Sequence, residues 1–253
     1  MKLWRVAFAT TLSLLPALPA GAEQIRLLSA GAMRHTVEKI AEDFRKQTGH
    51  EIVLTTGTAG EMVQRLAAGE VADMVIAPPA TLEAMARDGK VDLASRTDLG
   101  RVRVGLGMRK GDTAPDISTL AAFKSALLAA RKIVYSHPSS GASSGIHFAR
   151  VVKEQGLEAE LASRTVFRQG GTAVMDAVAK GEGDLGITQI SEILPVAGVY
   201  LVGPIPAEIQ QITTYSAAVA SGARSADLVK RWIAFLTRDE SRALYRQAGF
   251  ESP

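Results

Sequence analysis

Apolar residues along this chain follow two spacings, and the two alternate. Ile25-Arg26-Leu27-Leu28 is a short apolar run and predicts a strand. Thr36 to Lys46 carries Val37, Ile40, Ala41 and Phe44 on one face and predicts an amphipathic helix. Further strands are predicted at Ile52-Val53-Leu54, Met74-Val75-Ile76, Val102 to Met108, Ile133-Val134-Tyr135, Thr165-Val166-Phe167, Leu185-Gly186-Ile187, Val199-Tyr200-Leu201 and Thr213 to Ala220. Between them Glu61 to Ala68, Thr81 to Arg87, Ser118 to Ala130 and Gly145 to Gln155 read as helices. Ala226 to Leu236 and Glu240 to Gln247 close the chain as two more. Strand–helix alternation predicts an α/β fold on mostly parallel sheets, because a parallel pair needs a crossover that a helix supplies.

The pattern also repeats at long range. Residues 57–76 read GTAGEMVQRLAAGEVADMVI and residues 171–187 read GTAVMDAVAKGEGDLGI. Both open Gly-Thr-Ala, run through a helix to Gly-Glu, and reach an Asp just before a buried strand. One supersecondary unit used twice predicts two similar lobes rather than one continuous sheet.

The first residues fall outside this alternation. Lys2 and Arg5 precede a mostly apolar run from Val6 to Ala20, and Ala20-Gly21-Ala22 fits a small-residue cleavage site. That is the layout of a secretory signal peptide, with cleavage expected after Ala22. The apolar run is short of the ~20 residues a spanning helix needs. Export implies a periplasmic location and leaves a mature chain of 231 residues with a net charge of +1. The absence of cysteine excludes disulfides, thiol nucleophiles, thiolate metal sites and a lipid-anchored cysteine. His137 and His147 lack a metal-ligand companion pattern, so neither metal nor cofactor is expected. With no block of basic residues and 5% aromatics, nucleic-acid binding is set aside.

Four strand-to-helix turns are rich in small residues: Ser29 to Ala32, Thr56 to Gly60, Ser139 to Gly145, and Gly170-Gly171-Thr172. A helix start has free N–H groups and the positive end of its dipole, and small side chains let a ligand approach that backbone. Ordinary N-capping accounts for any one such turn. Four together, two in each half, point to a shared anion site at the carboxyl ends of strands.

The third turn also spells G-x-S-x-G, from Gly141 to Gly145. That motif can mark a hydrolase nucleophile, here Ser143, but the chemistry needs a histidine late in the chain. After Ser143 the only histidine is His147, four residues on. A serine hydrolase is therefore a subordinate reading.

The stretches LLSAGAMRHTVEKIAEDF, TTGTAGEMVQRLAAGEVADMVIA, SHPSSGASSGIHFARVV and GDLGITQISEI resemble the periplasmic molybdate-binding proteins of ABC importers. The resemblance covers essentially the whole mature chain. It implies a two-lobed α/β periplasmic binding protein whose lobes close over an oxyanion, with crossovers near Val102 to Gly105 and Tyr215 to Val219. Lobe I is expected over residues 23–103 and 216–253, lobe II over 104–215. The family's ligand is held by helix-start N–H groups, serine hydroxyls and one tyrosine. By position, the first serine falls at Ala32 beside Gly31, and the second near Thr58, Ala59 and Gly60. Backbone contacts fall at Ser144 and Gly171, beside Ser143 and Thr172, and the tyrosine falls at Gln189.

The departures matter. Ala32 and Gln189 remove two donors from a site built for a compact tetrahedral anion. A different or larger anion is expected, with an organic carboxylate ahead of molybdate or tungstate. Arg34 and Arg168 flank the first and fourth turns and offer two-pronged contacts to a carboxylate. The expected protein is a binder rather than an enzyme, monomeric, delivering its anion to a membrane ABC permease. Service to a membrane sensor is the alternative.

Overall fold

A computed structural model describes residues 22–253; the expected signal peptide lies outside the described residues, apart from its last residue. In chain order the elements are β1 (Gln24–Ala30), α1 (Arg34–Thr48), β2 (Glu51–Gly57), α2 (Ala59–Ala67), β3 (Met74–Ala77), α3 (Pro79–Arg87) and β4 (Val91–Arg109). There follow α4 (Leu120–Ala129), β5 (Ile133–Ser136), α5 (Ser143–Glu154), α6 (Glu158–Ala162), β6 (Thr165–Arg168), α7 (Gly171–Ala179), β7 (Leu185–Gln189) and α8 (Ile190–Ile193). Last come β8 (Val199–Pro204), β9 (Ile212–Ala220), α9 (Ala226–Thr237) and α10 (Asp239–Gln247). No helix among the described residues is long and apolar enough to cross a membrane.

The strands run in the order β2-β1-β3-β9-β4-β7-β5-β6, with β8 beside β4. β1 lies parallel to β2 and β3, and β5 lies parallel to β6 and β7. Both units therefore place their third strand on the far side of the first, and the echo seen in the sequence is one unit built twice. The sheets are not parallel throughout. Pairing turns antiparallel at β9, β4 and β8, where the lobes join.

β4 is longer than its apolar run predicts. Its first half, Val91 to Arg103, pairs with β9 in lobe I, and Val104 to Arg109 pair with β7 and β8 in lobe II. The segment Asp92 to Asp98 is polar and mostly exposed, so no hydrophobic run marked it. β4 changes partners between Arg103, which pairs with β9, and Val104, which pairs with β7. The return crossing comes earlier than Tyr215: Thr213, Thr214 and Tyr215 already pair with Val102, Arg101 and Gly100 in the first sheet. The chain returns at Ile205 to Gln211. There Gln210 ties the crossings together, accepting from Val104 N (2.9 Å) and donating to the carbonyls of Val104 and Ile205 (3.0 Å each).

Burial follows the apolar faces. In lobe I, Phe44 of α1 meets Trp232 of α9 edge-on at 5.0 Å between ring centres, which fixes the C-terminal helices on the first lobe. In lobe II, Phe148 of α5 packs edge-on against Tyr135 of β5 at 5.0 Å and against Phe123 of α4 at 6.4 Å. Edge-to-face pairs of this kind add ~0.5–1.5 kcal/mol beyond burial.

Candidate functional site

The parallel strands β1, β2, β5 and β6 end toward one cleft, so the four small-residue turns converge there. They enclose a cavity of about 340 Å³ between the lobes. All the residues proposed from sequence line it except Gly60 and Arg168: Gly31, Ala32, Arg34, Thr58, Ala59, Ser143, Ser144, Gly171, Thr172 and Gln189. Glu61, Gln169, Asp176, Glu192 and Tyr215 line it too.

The four helix starts are not alike. Thr58 caps α2 itself: its hydroxyl accepts from Glu61 N (3.2 Å), and Glu61 Oε2 accepts from Thr58 N (2.7 Å). That hydroxyl also donates to the Ser140 carbonyl of the other lobe, so it is not free for a ligand as the sequence suggested. The short 3-10 turn Gly31–Met33 ahead of α1, and the starts of α5 at Ser143 and α7 at Gly171, carry no side-chain cap. Orphan N–H groups at helix starts need partners. For one turn the ordinary capping explanation holds; at Gly171 the N–H goes to Glu192 from beyond the helix, and the turns at Gly31 and Ser143 line the cleft without a side-chain cap.

Arg168 does not help. Its guanidinium donates to its neighbour's carbonyl at Phe167 and pairs with Glu182, outside the cavity lining. β6 ends there, and alternation sends this side chain away from the turn. Arg34 stands at the cavity wall and pairs with Glu38 one helical turn on (2.9 Å). Gly60 instead forms a lobe-to-lobe contact, where an added Cβ would come within 2.9 Å of Ser140 O.

The glycines of G-x-S-x-G have packing reasons. Gly141 sits at φ +75° against Gly60, and a Cβ on Gly145 would come within 2.3 Å of Ser136 O. Ser143 Oγ lies 3.4 Å from Tyr215 OH and 3.3 Å from Gln189 Nε2, with no histidine beside it. His147 is buried at the Ile209 carbonyl (2.7 Å), and His137 bonds Ser139. Ser143 thus has neighbours suited to binding, and no base to make it a nucleophile.

The cavity floor is a polar network that joins the expected Ser143, Ser144, Gly171 and Gln189 to Thr188, Thr213 and Glu192, which sequence reading missed. Ser144 Oγ meets Thr188 Oγ1 (3.3 Å), and Thr188 Oγ1 donates to Glu192 Oε2 (2.7 Å). Glu192 Oε1 accepts from Gly171 N (3.2 Å). Gln189 Nε2 donates to Ser143 and to Thr213 Oγ1 (3.0 Å), and its Oε1 is buried without a partner. Glu192 is 6% exposed. Burial raises its proton affinity, against the hydrogen bonds from Thr188, Gly171 and Gln189 that favour the anion. Tyr215 is pushed up by burial and by the nearby Glu192 carboxyl, so it stays a neutral donor. By contrast Glu61, although burial works the other way, is held lower by hydrogen bonds from Gln169 (2.9 Å) and Thr58. The signal for Glu192 was slight: a lone acid four residues after a buried threonine, in GITQISEI. Tyr215 was legible only as part of a hinge strand.

A cleft between two α/β lobes, floored by hydroxyls and uncapped helix starts, defines a ligand-binding protein of the periplasmic type. Residues 25–251 match the family model described as bacterial extracellular solute-binding protein, and the chain belongs to that family. It is 32% identical over 227 residues to an aconitate isomerase of Pseudomonas sp, covering 87% of this chain and 85% of that protein. It is 24% identical over 235 residues to the molybdate-binding protein ModA of Escherichia coli (strain K12), covering 90% and 88%. Among solved structures, the periplasmic molybdate-binding protein of Azotobacter vinelandii superposes with a TM-score of 0.78 at 21% identity, covering 90% of this chain and 99% of that one.

Proposed function

We propose that this chain is a periplasmic solute-binding protein that captures a small organic polycarboxylate between its lobes and delivers it to an ABC permease. The observation that carries the carboxylate is Glu192 on the cavity floor. A fully ionised tetrahedral oxyanion gains from N–H and O–H donors and is repelled by a carboxylate. A buried carboxyl that holds its proton instead donates to a ligand carboxylate, and its carbon framework leaves room for the rest of the ligand. The volume of about 340 Å³ supports the same reading. It falls at the small end of the ~300–1,000 Å³ typical of organic-ligand sites. Ala32 and Gln189, where a compact oxyanion site would carry serine and tyrosine, widen the space further.

A second reading is favoured by the 32% identical relative, whose name is that of an isomerase acting on an unsaturated tricarboxylate. On this reading the same cavity binds such an acid and also converts it. Binding comes first in either case.

Thermal unfolding of residues 23–253 against molybdate, tungstate, sulfate, phosphate and mono-, di- and tricarboxylates tests the ligand class. A ligand at ~100 times its Kd adds ~2.7 kcal/mol, which raises the midpoint by roughly 5–10 °C for a chain of this size. Shifts confined to di- or tricarboxylates are expected. A shift with molybdate or tungstate alone would overturn the carboxylate reading, and none with any anion would overturn the cradle.

A further inference from the structure

We propose that Glu192 is the proton-transfer residue of this cavity, moving a proton between two carbons of a bound unsaturated polycarboxylate. The inference rests on the second reading above, that the bound acid is also isomerised, and it assigns the residue that does the work.

The argument is by position and by elimination among the cavity residues. A shift of a double bond along a carboxylic acid needs one group that removes a proton beside the C=C and returns it at the other end. The titratable side chains lining the cavity are Arg34, Glu61, Asp176, Glu192 and Tyr215. Arg34 is a permanent cation tied to Glu38. Glu61 is locked into the α2 capping box and held below the ordinary carboxylate range by Thr58 N and Gln169 Nε2, which makes it the weaker base. Asp176 is exposed. Tyr215 is buried and held neutral. Glu192 alone is a buried carboxyl, and its two oxygens are aimed by fixed donors, Thr188 Oγ1 at 2.7 Å and Gly171 N at 3.2 Å.

Glycine backbone from both lobes packs closely around that carboxyl, which fixes its place in the cavity lining. A Cβ on Gly31, from the opposite lobe, would stand 3.2 Å from Glu192 Oε1, and one on Gly171 would stand 2.1 Å from Oε2. The carboxyl thus lies where the two glycine turns meet, at the floor that a closed ligand would touch. Burial raises its proton affinity, as a base toward a carbon acid requires.

The step balances without any other reagent. The step starts from the minor form in which Glu192 has given up its proton, and that carboxylate takes a proton from the methylene carbon next to the C=C. The C–H electron pair becomes the new C=C, and the old π pair moves toward the far carbon as an allylic carbanion delocalised into its carboxylate. The neutral Glu192 then returns the proton to that far carbon. One C–H bond breaks and one forms, and nothing is oxidised or reduced. The start of α5 at Ser143 has no side-chain cap and lines the cleft, where the added carboxylate charge develops.

The test uses the mature protein with cis- and trans-aconitate. Calorimetry measures binding, and proton NMR in D2O measures interconversion and deuterium uptake at the methylene carbon. The expected result is binding, interconversion and deuterium uptake by the wild type. Glu192→Gln should lose kcat by at least ~100-fold, the lower end of what a general acid–base contributes, with a much smaller change in KM. Glu192→Asp, which keeps a carboxyl, should recover part of the rate. Melting curves check that each variant folds. Wild-type rates in Glu192→Gln would overturn the assignment. So would a wild type that binds aconitate yet neither exchanges nor interconverts it, and that outcome would leave the binding reading standing. A wild type that binds no carboxylate would remove both.

Discussion

In lobe I the strand order is β2-β1-β3, and in lobe II it is β6-β5-β7, so the same unit is laid down twice. Each copy has a Gly-Thr-Ala turn into a helix and an acid just ahead of its third strand. Asp73 accepts from Arg26 N (2.8 Å), and Asp184 accepts from Arg131 N (2.7 Å), each tying the third strand to the start of the first. The copies part at the helix start. α2 is closed by its own capping box. α7 follows the N-cap Gly170 with no side-chain cap, and its first N–H, at Gly171, turns to Glu192, a residue beyond the unit. The first copy completes itself and contributes wall. The second leaves its helix start unfinished, and the cavity floor is built there. Matching sequence signatures therefore report a shared scaffold, while ligand chemistry depends on whether the scaffold's own residues use up the free N–H groups.

The largest expected effect breaks this asymmetry directly. A Cβ on Gly171 would stand 2.0 Å from Thr188 Oγ1 and 2.1 Å from Glu192 Oε2. Gly171→Ala must displace the carboxyl or the helix. Overpacking costs ~1–3 kcal/mol on its own, and the floor network is lost with it. We expect ligand affinity to fall by about two orders of magnitude, or ~2.7 kcal/mol, measured by calorimetry. At the matching position of the other copy, Gly57→Ala meets the flexible Glu61 side chain at 3.0 Å and is expected to cost much less. Equal losses at the two sites would mean that both turns hold the ligand alike.

How far this was legible follows from the same contrast. Apolar periodicity located the strands and the main helices, because burial of one face dictates it. It missed Asp92 to Asp98 of β4, which pairs with β9 at Asp92, Thr97 and Asp98 around an irregularity and carries no apolar stripe. The small-residue turns were visible because close backbone approach demands glycine. Glu192 and Tyr215 were not, since they reach the cavity only through the packing of α8 and the hinge strand β9. Arg168 looked useful by its place before a glycine turn, but strand alternation and Glu182 carry it outward.

The paired acids give the next effect. Asp73 is 2% exposed. Burial alone would raise its pKa, but hydrogen bonds from the Arg26 side chain, Arg26 N and Arg224 N outweigh that and hold it at about 2, against 3.8 ordinarily. A depressed carboxylate pKa stabilises the fold above the unfolded value, and the contribution is lost as pH falls from about 4 to about 2. At ~1.4 kcal/mol per pH unit the contribution is about 2 kcal/mol. Asp73→Asn is expected to cost roughly that in urea unfolding at pH 7, and to flatten the acid limb between about pH 4 and 2. Asp184 is also held low, with burial opposed by Arg131 and Lys132, but its side chain is 25% exposed. Solvent screens its pairing, and Asp184→Asn should cost less. If the order reverses, burial is not what separates the two copies.

The smallest effect probes the caps. Thr58→Ala removes the N-cap of α2, worth ~1 kcal/mol, and it also removes the hydroxyl that donates to Ser140 O of lobe II. The first loss falls on the ligand-free protein, the second on the closed one. Thr172→Ala at the matching turn has no cap to lose, because the N-cap of α7 is Gly170, and should stay within ~0.5 kcal/mol without ligand. Urea midpoints measured with and without ligand separate the terms. Thr58→Ala should lower both midpoints, with the larger drop when ligand is bound. Thr172→Ala should matter only when ligand is present, since its turn is completed by what enters the cleft. A fall in the ligand-free midpoint for Thr172→Ala would mean that α7 is capped from within after all, and that the difference between the two copies lies somewhere other than their helix starts.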